Sequence, residues 1–240
     1  MIPASPSALH EMIFRPYIFN LMRRHFHSIR LFGEPPNSDE GAILLLPNHS
    51  TWWDGFFVYL LKVKLFHRPI FLMMLEEQLR RNRFFSRVGA YSIEPRSVKK
   101  SLESLSYTQK LLAQKAVVCI FPQGELLPWG VRPLVYKRGV ELLIRQAPEP
   151  VRVIQAAFRA EYLTDQRADV FIRLNEVTDL CGSSEDLTER LQTRHEALLN
   201  ELQEQIIRRE EGKVLLQGKA SINESFAMWR HRLSRKRDRA

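Results

Sequence analysis

A chain of 240 residues, 45% hydrophobic and 26% charged, can bury one sizeable core, which excludes a disordered or collagen-like polymer. Its formal net charge of +9 admits an anionic membrane surface, a nucleic acid or a phosphate-bearing substrate, without choosing among them. Cys119 and Cys181 stand at no disulfide or metal-ligand spacing, which suits a reducing, cytoplasmic setting.

Near the N-terminus, Pro16 can open a helix reaching roughly Arg30, with Ile18, Met22, Phe26 and Ile29 at helical spacing. Arg15, Arg23, Arg24 and Arg30 make this amphipathic segment, residues 1–32, either a helix on the core or one lying among lipid headgroups. No apolar run reaches the ~18 residues of a spanning helix and no secretory signal is visible, so membrane association is expected to be peripheral.

Residues 33–182 alternate short apolar runs with longer amphipathic ones. Strands are predicted at Ala42–Leu46, Ile70–Met74, Val117–Phe121, Val151–Phe158 and Asp169–Leu174. Helices are predicted between them, from Trp52 to Phe66, Val98 to Gln114 and Tyr136 to Arg145. This order predicts an α/β fold, a mostly parallel mixed sheet flanked by helices, with ligands collecting beyond the carboxyl ends of the strands. Residues 183–240 read as a helical extension. Ser183 and Asp186 form a capping-box pattern before Leu187, Leu191, Leu198, Leu202 and Ile206. The extension ends in a tail, Arg230–Ala240, with six Arg or Lys against one Asp, so over half the net charge lies there. Phe226, Met228 and Trp229 just before it favour a membrane surface over nucleic acid as its partner.

The segment NHSTWWD, Asn48 to Asp54, follows the first of these strands. A structural explanation makes Thr51 a helix N-cap and Asp54 the third helical residue, whose carboxylate reaches back to the cap. That leaves Asn48 and His49 unexplained. Side chains five apart on one continuous helix diverge by ~140°, so His49 can meet Asp54 only if the helix starts after the histidine. Asp54 then fixes the tautomer of the imidazole and leaves the other ring nitrogen as a base. No G-x-S-x-G nucleophile elbow is present, so the proton taken would be that of a substrate hydroxyl.

Three further blocks follow in order: GAYSIEPR (Gly89–Arg96), IFPQGE (Ile120–Glu125) and YKRG (Tyr136–Gly139). Together with NHSTWWD they resemble the glycerolipid acyltransferase superfamily, which includes the lysophosphatidic acid acyltransferases, over roughly Ala42 to Phe158. The resemblance implies transfer of an acyl group from an acyl thioester (acyl-CoA or acyl-carrier protein) to a lipid hydroxyl. It implies no metal and no cofactor beyond that co-substrate. His49 would be the general base and Asp54 its orienting partner. Gln123, Gly124, Glu125, Arg96 and Lys137 would bind the acceptor, and Trp52 and Trp53 would line the acyl channel or fill core.

The chain also departs from the family pattern FPEGTRS. Gln123 replaces the Glu, Glu125 stands at the Thr position, and Leu126 replaces an Arg whose guanidinium could grip phosphate in paired charge-assisted bonds. Pro95 is an extra residue before Arg96, and Val153–Ala157 lacks the family's proline. These changes favour an acceptor without a phosphate beside the reacting hydroxyl, such as a glycolipid. The alternatives are a lysophosphatidic acid acceptor in phospholipid synthesis, with Arg96 and Lys137 replacing the lost arginine, and a non-catalytic lipid- or nucleic-acid-binding relative.

Overall fold

The computed structural model describes residues 1–37, 41–147, 149–178 and 187–220. The run Ala42–Pro47 forms strand β2, buried along its whole length. Its side chains alternate between two faces: Ile43 and Leu45 enter one apolar cluster, Ala42, Leu44 and Leu46 the other. A strand apolar on both faces belongs in the middle of a covered sheet, and β2 sits there.

Among the described residues the sheet has eight strands. Besides β2 they are β1 (Phe26–Phe32), β3 (Ile70–Leu75), β4 (Ala90–Ile93), β5 (Val117–Cys119), β6 (Val151–Glu161), β7 (Ala168–Val177) and β8 (Lys213–Gln217), in the spatial order β4-β3-β5-β2-β6-β7-β1-β8. From β4 across to β6 every pairing is parallel. Beyond it β7 runs antiparallel to β6, β1 parallel to β7, and β8 antiparallel to β1. The sheet is thus mixed and mostly parallel, with β5 and β6 on opposite sides of β2. That is a topological switch point, where a crevice opens at the carboxyl ends of the strands.

Helices cover both faces. On one side lie α1 (Ala8–His25), through Phe14, Ile18 and Met22, and α2 (Asp54–Leu61), which continues as a π-turn over Lys62–Phe66. On the other lie α4 (Val98–Ala113), α5 (Gly139–Arg145) and α6 (Leu187–Ile207). A short α3 (Glu76–Arg81) links β3 to a 3-10 turn, Arg83–Val88, before β4. Gly89 joins that turn to β4 at φ +111°, and a Cβ there would meet Ile70 O at 2.6 Å, so the position admits only glycine.

The N-terminal expectation needs correction. The helix starts at Ala8, well before Pro16, and ends at His25 rather than near Arg30. Pro16 lies inside it, on an exposed face where water can serve the carbonyl freed one turn earlier. Arg23, Arg24 and His25 suit a helix C-terminus, and Phe26–Phe32 become strand β1 between β7 and β8. Hence residues 1–32 and the region after 183 each contribute a strand to the central sheet. The Ser183–Asp186 capping pattern, Cys181 and the basic tail lie outside the described residues.

Candidate active site

Asn48, which has no role in the helix-start explanation, is the hinge of the site. As β2 ends, its backbone N–H donates to Ala156 O at 3.2 Å, extending the ladder to β6. Its side chain then mimics a further strand residue: Oδ1 accepts from Phe158 N–H at 2.7 Å and Nδ2 donates to Phe158 O at 3.1 Å. Asn48 is buried, so these bonds satisfy amide groups that would otherwise be costly.

The next residue, His49, is clamped at its main chain. Its N–H donates to Gln123 Oε1 at 2.8 Å and its carbonyl accepts from Leu127 N–H at 3.0 Å. Its ring stacks on Phe121 at 3.9 Å with 17° between planes. Nδ1 lies 2.9 Å from Asp54 Oδ2. That same oxygen accepts from the Ser50 and Thr51 backbone N–H groups at 2.7 and 2.9 Å, and Oδ1 accepts from Thr51 Oγ1 at 2.6 Å. The Thr51 hydroxyl also accepts from Trp53 N–H, so its proton goes to Asp54. Both carboxylate oxygens are therefore acceptors, and Nδ1 is the donor. This leaves the lone pair on Nε2, to which no described residue hydrogen-bonds.

The helix-start expectation needs correction: α2 begins at Asp54 itself and Trp53 precedes it, so Asp54 is the first helical residue, not the third. Its carboxylate instead ties the Ser50–Thr51 turn and His49 together ahead of the helix, and the imidazole lies outside it. Asp54 is 1% exposed and the His49 side chain 22%, so the carboxylate is sheltered while the ring meets solvent. Cys119 lies near enough for the Asp54 charge to act on its thiol. Burial first, and that charge second, raise the thiol well above its usual range, so it stays protonated and is no nucleophile at neutral pH.

The other sequence-marked residues divide. Gln123 is buried and spends Oε1 on His49 N–H, so it braces the histidine instead of presenting that oxygen to an acceptor. Gly124 takes φ +74°, a conformation that favours glycine, and its N–H donates to Phe121 O at 3.1 Å inside the turn. The stem of Lys137 lies against Gly124, and its Nζ faces Glu125 Oε1 at 3.5 Å. The FPQGE and YKRG segments therefore meet, but there the lysine charge is opposed by the glutamate. Arg96 follows β4, the edge strand, whose axis lies three strands, ~14 Å, from that of β2. Trp53 packs against the core beside Phe26, whereas Trp52 is 64% exposed.

Sequence reasoning also missed a buried chain beneath the site. His195 of α6 is fully buried, with Nε2 3.0 Å from Ala156 O and Nδ1 2.7 Å from Tyr136 Oη. A carbonyl only accepts, so Nε2 carries the proton and Nδ1 accepts from Tyr136. Gln155 Nε2 donates to the same tyrosine oxygen at 3.2 Å. Ala156 O, where this chain ends, is the oxygen that receives Asn48 N–H. Burial lowers the His195 pKa to about 4. A lone histidine amid leucines at helical spacing carries no signal for such a role.

No group of three or more His, Cys, Asp or Glu among the described residues is placed to hold a metal ion. No helix of the described residues is long and apolar enough to cross a membrane.

The model of the protein family described as Acyltransferase matches residues 25–154, more than half the chain. The matched region contains β2, the His49–Asp54 turn, the FPQGE turn and the YKRG segment. No curated protein matches the chain.

Proposed function

As the chain belongs to the glycerolipid acyltransferase family, we propose that it moves a fatty acyl group from a thioester of coenzyme A or acyl-carrier protein to a lipid hydroxyl. The observation that carries this reading is the 2.9 Å bond from His49 Nδ1 to Asp54, with Nε2 bonded to no described residue and the ring partly exposed. His49 Nε2 takes the proton of the acceptor hydroxyl as its oxygen attacks the thioester carbonyl. The C–S bond then breaks, an ester C–O bond remains, and the imidazolium returns the proton to the departing thiolate. Asp54 supports the transient imidazolium, as a buried carboxylate does in hydrolase triads. No acyl-enzyme is needed. Ser50 Oγ is engaged with Asn48 Nδ2, and Thr51 Oγ1 with Asp54.

The acceptor in this reading carries no phosphate beside its reacting hydroxyl. Leu126 offers no charge, Lys137 faces Glu125, and Arg96 stands to one side. A glycolipid or another lipid alcohol fits better than lysophosphatidic acid.

The protein would work at a membrane surface. Leu9, Met12, Ile13 and Tyr17 of α1 are each more than half exposed, with Arg15, Arg23 and Arg24 on the same helix. Trp52 and Phe84 extend this apolar surface, connected to Phe14 of α1 through ring contacts, Trp52 by way of Phe56. Aromatic and aliphatic groups beside arginines suit the boundary between headgroups and acyl chains.

Radiolabelled palmitoyl thioesters of both carriers, offered with a panel of lipid alcohols, glycolipids and lysophosphatidic acid, test the reading. Transfer to a non-phosphate acceptor that disappears in His49→Ala is the expected result. Efficient preference for lysophosphatidic acid would refute the acceptor assignment, and full activity of His49→Ala would refute the mechanism.

A further inference from the structure

Between β5 and α5 the chain runs through residues 120–138 without helix or strand. A connection of that length in a packed domain usually serves function, and its backbone groups need partners from elsewhere. This loop grips the catalytic histidine: Leu127 N–H donates to the His49 carbonyl at 3.0 Å, and Gln123 Oε1 accepts from His49 N–H. What steadies the loop lies on α6. Glu196 Oε1 accepts from Leu134 N–H at 2.5 Å, and Gln192 Oε1 accepts from Tyr136 N–H at 2.8 Å. The Leu134 side chain is buried among Leu198, Leu199 and Leu202 of the same helix, and Trp129 packs against that cluster.

A second route leaves the same helix face. Gln192, His195 and Glu196 are three and four residues apart, so their side chains are neighbours on α6. His195 Nε2 donates to Ala156 O at 3.0 Å, the oxygen that also receives Asn48 N–H at 3.2 Å. Tyr136 Oη donates to His195 Nδ1, so one buried ring joins the loop to the β2–β6 ladder. Gln155 Nε2 ties both to the helix backbone, donating to Tyr136 Oη at 3.2 Å and to Leu191 O at 2.6 Å. The main chain around His49 is therefore held at Asn48 N–H on one side and at the His49 carbonyl on the other, and both holds lead back to α6. That helix lies wholly beyond the family-matched residues 25–154.

We propose that Gln192, His195 and Glu196 are positioning residues for acyl transfer, setting the aim of His49 Nε2 through the loop and through the ladder. They act at a distance, through Leu134, Tyr136 and Ala156. The inference rests on the acyl-transfer reading above and adds the residues outside the matched region on which that site depends. A misplacement of about 1 Å at a reacting group costs on the order of 10²-fold in rate. Loosening the turn therefore shows in kcat more than in KM.

Gln192→Leu with Glu196→Leu removes both loop acceptors. Gln192→Glu with Glu196→Gln restores them and keeps the net charge. Each full-length variant would be assayed with labelled palmitoyl thioester and the best acceptor of the panel above, with thermal melts counting the folded fraction. The leucine pair is expected to lose at least tenfold in kcat per folded molecule with KM within threefold, and the exchanged pair to stay within threefold of the wild type in both. Should the leucine pair not fold, Glu196→Leu against Glu196→Gln carries the same comparison. Unchanged kcat in the leucine variants, or an equal fall in the exchanged ones, would overturn the proposal. His195→Leu cuts the ladder route and is expected to lower kcat likewise; full kcat there would overturn the role of His195. Proton NMR of the His49 Nδ1–H, assigned by its loss in His49→Ala, separates positioning from reaction. Its resonance, carried downfield by the bond to Asp54, is expected to shift or broaden in the leucine pair and to return in the exchanged pair. That result without acyl transfer by the wild type would sustain the positioning and refute the acyl-transfer reading. An unmoved resonance beside normal transfer would refute the positioning alone.

Discussion

Asn48 holds the main chain of Phe158 from both sides, accepting its N–H at 2.7 Å and donating to its carbonyl at 3.1 Å. One side chain thereby continues the β2–β6 ladder past the point where β2 turns away, and His49 is the next residue. Asn48→Asp keeps the shape but sets an acceptor against Phe158 O. A loss of about 1–3 kcal/mol in stability is expected, from a buried acceptor left unpaired, together with a lower kcat because the turn is no longer pinned. Urea unfolding and steady-state kinetics on the same preparation check both effects.

Asp54 combines two tasks that substitution can separate. In Asp54→Asn one amide oxygen can still accept from Ser50, Thr51 and His49, so the turn before α2 stays braced while the negative charge is lost. Activity should fall by about 10²- to 10⁴-fold with little change in melting temperature. Asp54→Ala removes the acceptors of the Ser50 and Thr51 N–H groups as well, and should cost a further ~1–3 kcal/mol of stability. Equal stability of the two variants would show that these side-chain acceptors do not brace the turn.

His195 makes stability depend on pH. Its folded pKa of about 4 lies below the ordinary 6.5, because burial disfavours the charged ring. Between these values the unfolded chain binds more protons than the folded one, so stability rises with pH across this window. The contribution, roughly 3 kcal/mol, is complete above pH 6.5 and lost as pH falls towards 4. Denaturant midpoints measured from pH 4 to 7 should show this slope in the wild type. It should be missing in His195→Gln, which cannot titrate.

The α1 surface predicts where the protein meets lipid. Met12→Glu with Ile13→Glu changes two exposed side chains and should leave the melt unaltered. Binding to phosphatidylglycerol vesicles should weaken at least tenfold, about 1.4 kcal/mol, because charged groups cannot enter the interface as their apolar predecessors do. Removing Arg230–Ala240 measures the electrostatic share, expected to fade as salt rises. Unaltered flotation of the double variant would place the contact elsewhere.

The sheet's parallel half was readable because Ala42–Pro47, Ile70–Leu75 and the start of β6 are apolar runs bounded by turn residues. His49 and Asp54 were readable because their partnership is local, set by one turn between strand and helix. Strand β1 was hidden because Ile18, Met22, Phe26 and Ile29 keep helical spacing straight across the helix end, while pairing with β7 and β8 decides the outcome. Strands β4 and β8 are too short for alternation to register. The bond from His49 N–H to Gln123 Oε1 was not readable, since position in a motif does not reveal which partner an amide oxygen takes. Gln192, His195 and Glu196 reach the loop before α5 only through tertiary folding, and no spacing rule could join them to it.

The placement of β8 bears on how the polypeptide is made. Strand β1 emerges early from the ribosome, yet one flank waits for Ala168–Val177 and the other for Lys213–Gln217. Until β8 docks, β1 exposes a row of unpaired amides and carbonyls, the kind of border along which separate copies aggregate. Nascent chains stopped short of Lys213 should therefore precipitate or engage chaperones, although every residue of the His49–Asp54 turn has already been synthesised.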